Sequence, residues 1–149
     1  MKELQGRASA DLQAAPDDVF ELVADVQRYP AWFEVVRKVE ILEPERNGTP
    51  GLARAAVHVA QSPFGQDFEL FVRMRTVPPV AVTLMRVPTG PSDPDRLVLN
   101  WRVGGEEYAR LALEFDAAAS FVPSFLPVGD AGDAIARAAI DAARDALSR

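Results

Sequence analysis

Apolar residues take every second position in four stretches of the chain: Val57 and Val59; Phe68, Leu70, Val72 and Met74; Leu97, Leu99, Trp101 and Val103; and Leu111, Leu113 and Phe115. Between and beside them stand charged or amide side chains, among them His58, Glu69, Arg73, Arg75, Asn100, Arg102, Arg110, Glu114 and Asp116. A strand sends successive side chains to opposite faces, so the alternation predicts one antiparallel sheet with a dry face and a wet face. Function then turns on what sits against the dry face.

The pattern predicts seven strands, at residues 5–13, 35–43, 51–61, 67–77, 80–87, 96–103 and 107–117. Turn chemistry separates the last six: Asn47-Gly48 within 44–50, Ser62-Pro63-Phe64-Gly65, Pro78-Pro79, the loop 88–95 and Gly104-Gly105. Connections this short predict a meander of antiparallel neighbours. After the first strand the period changes. Pro16 followed by Asp17 and Asp18 suits the first turn of a helix, and Val19, Phe20, Leu22, Val23 and Val26 continue at helical spacing over 16–26. Tyr29-Pro30 is expected to break that helix, because the residue before proline avoids the α region, and Ala31-Trp32-Phe33 to begin a second short turn. Past the last strand an apolar loop precedes a helix at 130–147. Its stripe of Ile135, Ala139, Ala142 and Ala146, flanked by Ile140, Ala143 and Leu147, is small-sided. The order of elements predicts an α+β domain whose last helix covers the dry face. Alanines facing a curved sheet leave volume there unless the helix comes close.

At 149 residues the chain is expected to form a single domain over 1–149, long enough to bury a core without staples. It has no cysteine, which fits a reducing, cytoplasmic setting and removes thiolate metal sites and thiol nucleophiles. One histidine argues against a zinc site or a catalytic triad, so no metal and no cofactor is expected. A net charge of −6 speaks against nucleic acid as a partner. No leader-like segment and no membrane-spanning run of about eighteen apolar residues is seen.

The segment Ala14-Ala15-Pro16-Asp17-Asp18-Val19-Phe20, followed by Leu22-Val23-Ala24-Asp25-Val26-Gln27-Arg28-Tyr29-Pro30-Ala31-Trp32, resembles the START-like, or SRPBCC, superfamily of polyketide cyclases/dehydrases and lipid-transport proteins. The order of elements agrees along the whole chain. The resemblance implies a helix-grip fold, in which a curved seven-stranded antiparallel sheet grips a long C-terminal helix, with two short helices between strands one and two. It also implies a cavity between sheet and helix that in many members holds a lipid, sterol, quinone, hormone or polyketide. Members range from aromatase/cyclases to non-enzymatic carriers and proteins acting on ribosomes, so fold leaves function open.

Catalytic candidates are few. His58 shares strand parity with Leu52, Arg54, Ala56 and Ala60 and so should point to the wet face. Arg54, Arg73, Arg75, Arg102 and Arg110 have the same outward parity, and Glu69, Glu114 and Asp116 are their expected cross-strand partners. Asp17-Asp18 and the pair Asp130 and Asp133 stand at helix starts, where capping or the helix dipole accounts for them. There is no phosphate-binding glycine loop and no nucleophile elbow.

The expected ligand-binding set is Trp32, Phe68, Leu70, Val72, Met74, Leu97, Leu99, Trp101, Leu113, Phe121 and Phe125. The strand residues would line an apolar cavity, or else only fill a core. Trp32 and Trp101 would offer indole N–H groups to a ligand oxygen, or plug the sheet structurally. Phe121 and Phe125, with Phe64, would close the mouth as a lid, or pack onto the sheet edge or onto a second subunit in a homodimer. These residues favour a carrier or sensor of a hydrophobic small molecule. A polyketide cyclase/dehydrase is the alternative, but it needs inward ionisable groups, and the inner positions of strands three, four, six and seven are apolar. The second alternative is an interaction module, in some members ribosome-associated, using the arginine-bearing face.

Overall fold

The computed structural model describes residues 2–59, 66–119 and 131–149. Strands β1 (Lys2–Asp11), β2 (Val36–Glu43), β3 (Gly51–Val59), β4 (Gln66–Val77), β5 (Ala81–Arg86), β6 (Arg96–Gly104) and β7 (Arg110–Ala119) form one antiparallel sheet in the order β1-β7-β6-β5-β4-β3-β2. Helix α1 (Pro16–Ala24) and a 3-10 turn (Val26–Ala31) lie between β1 and β2, and helix α2 (Ala131–Leu147) follows β7. The α+β helix-grip architecture is therefore present. Its meander from β2 to β7 is completed by β1, which pairs with β7 from Lys2–Ala119 to Asp11–Arg110.

The first strand starts earlier than its expected 5–13 because its pairing with β7 runs out to Lys2–Ala119, and stops earlier because Leu12 turns into the core, its N–H donating to Ala109 O at 2.8 Å. Helix α1 likewise ends before its expected boundary. Asp25 already leaves the helical region (φ −86°, ψ 79°), and Tyr29-Pro30 lies inside the 3-10 turn instead of causing the break. The reason is tertiary: Tyr29 folds under α1 and its hydroxyl donates to Val23 O, giving a partner to a carbonyl of the last turn. Trp32 accordingly ends this turn and does not begin a new one. At the start of α1, Pro16 takes the first position and Asp17 and Asp18 the first turn, but neither carboxylate makes a capping bond. Their contribution is to the dipole alone.

Helix α2 packs on β1 and β7 and reaches α1, so it covers one side of the dry face and not its whole width. Its seat is set by two glycines. A Cβ on Gly132 would stand 1.8 Å from the Gln5 carbonyl oxygen, and one on Gly6 would stand 2.1 Å from the Gly132 oxygen. Asp133 stands in the first turn of α2, as expected, and also accepts the Arg7 N–H of β1 at 3.0 Å. The residues buried on α2 are Gly132, Ala136, Ala139, Ile140 and Ala143, so the stripe is rotated from the expected one, and its small side chains allow close approach to β1. That correction removes the inference that alanine leaves volume along this part of the sheet.

Candidate binding site

Cross-strand register sorts the dry face into rows. Thr76, Val82, Trp101, Leu113 and Ala8 form one; Gly51, Met74, Leu84, Leu99, Phe115 and Gly6 the next; Val57 and Phe68, with Ala55 and Leu70, lie at the far end. The first row is closed at Val82, Trp101 and Leu113, and the second at Met74, Leu84 and Phe115. Val19 and Val23 of α1, with Val26, Tyr29 and Trp32, pack there against Val82, Leu84, Trp101, Val103, Leu111 and Leu113. Each such buried aliphatic side chain is worth about 1.5–3 kcal/mol. Leu99 in the second row, and Phe68, Leu70 and Leu97 farther along, are only half-buried.

The structure thus brings Trp32, Val72, Met74, Trp101 and Leu113 into one core cluster, with Leu70 and Leu99 against it. Phe68 and Leu97 stand on the same face beyond that cluster. Phe121, Phe125 and Phe64 lie outside the described residues.

The two tryptophans meet edge to face, with ring centroids 6.3 Å apart, while Trp32 also stacks on Phe33 and meets Tyr29 edge-on at 5.1 Å. Trp32 is 7% exposed and Trp101 1% exposed, yet neither indole N–H has an acceptor among the described residues. Burial pushes the Tyr29 phenol far above its ordinary range; the Trp101 indole opposes that shift from nearby, without reaching hydrogen-bond geometry, and Asp25 adds to it.

His58 stands opposite Asp67 on the wet face, and its Nδ1 lies 2.5 Å from Asp67 Oδ1. The predicted outward arginines are also in place, although mostly with other partners than expected: Arg54 bonds Glu40, Arg73 approaches Glu43 at 3.8 Å, and Arg110 bonds Asp11 at 3.1 Å. Asp116 is taken by Arg96, which also reaches Glu3. Exposed pairs of this kind contribute roughly 0–1 kcal/mol each.

One residue on the dry face escaped the sequence reading. Arg86 faces Val72 across β4–β5 and follows Val82 and Leu84 at inward parity. It is the only ionised residue with inward parity across β3–β7. Its side chain is 13% exposed and bonds Asp93 Oδ2 at 2.8 Å and Asp95 O at 2.9 Å. Asp93, 10% exposed, also accepts from Thr89 N and Oγ1 and from Asp95 N. The guanidinium, followed by these loop donors, holds the Asp93 carboxyl well below the usual carboxylate range. The available signal was parity with Val82 and Leu84, blurred by the apolar outward residues Met85 and Val87.

An open groove of about 640 Å³ runs between α1, the 3-10 turn and the end of α2, lined by Phe20, Leu22, Trp32 and Leu147 and edged by Asp18, Glu21 and Arg28. A smaller hollow of about 180 Å³ lies among Ile41, Met74, Thr76 and Val82. Neither lies beneath α2. Among the described residues no three His, Asp or Glu side chains come together as a metal site, and no helix is long and apolar enough to cross a membrane.

No curated protein matches the sequence significantly. Among solved structures, a START superfamily protein from Mycobacterium smegmatis superposes with TM-score 0.74 at 15% identity, covering 97% of each chain. The Zhui aromatase/cyclase from Streptomyces sp. R1128 gives 0.71 at 20% identity, covering 99% of this chain and 94% of its own. A STAR-related lipid transfer protein from Xanthomonas axonopodis gives 0.70 at 18% identity, covering 96% and 85%. These likenesses establish a shared fold. Residues 12–147 match the family described as polyketide cyclase / dehydrase and lipid transport, and the chain belongs to that family.

Proposed function

We propose that the protein binds and carries a hydrophobic small molecule against the half-buried end of the dry face, acting as one START-like unit in the cytoplasm. The observation that carries this reading is the contrast along that face. One end is sealed by α1 and the 3-10 turn, while Phe68, Leu70, Leu97 and Leu99 at the other end remain partly accessible although they point inward. Large apolar side chains on an inner face gain about 25 cal/mol per Å² when a ligand removes them from water. Affinity would come mainly from that burial, and specificity from few polar contacts. Trp101 and Trp32 back the sealed end, where their N–H groups, without an acceptor among the described residues, offer donors to an internal water. The cysteine-free composition fits a reducing compartment.

A second reading, a cyclase/dehydrase acting on a polyketone, is favoured by one observation. Arg86 supplies an inward ionised group of the kind that carbonyl polarisation needs.

Uptake of Nile red by the purified protein, with native mass spectrometry of a fresh preparation, tests the binding reading. The wild type should take up the dye, and Leu70→Trp, which fills the proposed chamber, should weaken uptake about tenfold, equivalent to roughly 1.4 kcal/mol. A folded wild type that neither takes up dye nor carries a bound mass would sink it.

A further inference from the structure

Resting on that binding reading, the structure assigns to the Arg86–Asp93 pair a selectivity role: we propose that it admits ligands bearing an uncharged carbonyl or hydroxyl oxygen and rejects those bearing a carboxylate. A guanidinium has five N–H donors. Arg86 uses two of them, one on Asp95 O and one on Asp93 Oδ2. Three are left without an acceptor among the described residues, on a face otherwise lined by Val72, Leu84 and Leu99. No Arg86 nitrogen is buried without a partner, so these N–H groups are open to water or to a ligand oxygen that replaces it.

An arginine alone would favour an acid. Here its charge is already balanced by Asp93, and that carboxylate is held on both oxygens, by Arg86 and Thr89 on one and by Asp95 N–H on the other. It is built in and does not give way to a ligand. A second carboxylate would approach a neutral pair and stand close to the Asp93 charge, where low dielectric strengthens the repulsion. A ketone or hydroxyl oxygen meets the free N–H groups without that penalty.

Three naphthalenes matched in shape test this by equilibrium binding: acetylnaphthalene, naphthoate and ethylnaphthalene. The wild type should bind the ketone about tenfold tighter than the carboxylate. Arg86→Leu should shift the ketone-to-hydrocarbon affinity ratio about tenfold toward the hydrocarbon, and Asp93→Asn, isosteric but uncharged, should shift the carboxylate-to-ketone ratio about tenfold toward the carboxylate. A role confined to tying down the loop 87–95 would move all three affinities together. Should Arg86→Leu fail to fold, Asp93→Asn carries the test alone. A wild type that prefers naphthoate, or ratios unmoved by both substitutions, overturns the assignment. A folded wild type that binds none of the three refutes the binding reading beneath it.

Discussion

Replacing Gly132 with alanine tests how the last helix is seated. On an open helix surface this change stabilises, since glycine costs up to about 1 kcal/mol against alanine. Here the added methyl would stand 1.8 Å from the Gln5 carbonyl oxygen, against the 3.4 Å at which ordinary contact begins, so α2 and β1 would have to part by roughly 1.6 Å. The obstructing atom is backbone in a strand paired along its length with β7, and cannot rotate away. Parting would also stretch the bond from Arg7 N–H to Asp133. Overpacking usually costs 1–3 kcal/mol, and a clash with fixed backbone lies at the upper end, so after the helix gain we expect a net loss of about 2 kcal/mol. For a domain of this size that lowers Tm by about 4–8 °C in a thermal melt. Gly90→Ala, where no atom lies within 4 Å of the new methyl, is the control and should leave Tm unchanged. A Gly132→Ala protein as stable as the wild type, or more so, would refute the close seating of α2.

Removing the Tyr29 hydroxyl with Phe should destabilise by about 1–2 kcal/mol in urea titration, because the Val23 carbonyl loses its partner in a buried place. Since the Tyr29 phenol is raised in the folded state, the stability it confers is complete below about pH 10 and falls as pH rises beyond that; phenolate absorbance from Tyr29 should appear only with unfolding. Asp93 works in the opposite sense: its carboxyl is depressed, so its stabilisation is present above about pH 4 and is lost as pH falls through the acid range, and Asp93→Asn should flatten the acid limb of a stability–pH curve. His58→Ala should leave Nile red affinity unchanged, because the imidazole stands on the wet face beside Asp67; a large drop in a folded variant would overturn the register of β3.

Much of the sheet was readable because its cause is local. Alternation in Phe68–Met74, Leu97–Val103 and Leu111–Phe115 assigned each residue to a face, and Asn47-Gly48 and Gly104-Gly105 marked turns, with Gly48 and Gly105 at positive φ. The early end of α1 was not readable, because it depends on Tyr29 reaching back to Val23 O, a contact made only once the turn has folded under the helix. The seat of α2 was hidden for the same reason: Gly6 and Gly132 need each other across almost the whole chain, and neither is unusual alone. Arg86 was missed although its parity was available, since the outward residue beside it, Met85, is also apolar and 48% exposed, which blurs the alternation along β5. The expected charge partners were mostly wrong for a geometric reason. Arg54 and Arg73 turn toward Glu40 and Glu43 on β2, acids the parity reading had not weighed.

The bond from Arg7 N–H to Asp133 also bears on the edges of the sheet. A sheet that does not close on itself has two outer strands, here β1 and β2, and bare backbone on such strands templates growth by neighbouring molecules. At β1, α2 lies along the strand and one of its carboxylates occupies a main-chain donor that a foreign strand would use. At β2 the protection is of another kind, with Lys38, Glu40 and Glu43 along the strand and register shifts at Val36/Lys38 and Ile41/Glu43 that spoil a straight ladder. The helix that grips the sheet is therefore also its guard against polymerisation, and loosening it would expose the longer of the two edges.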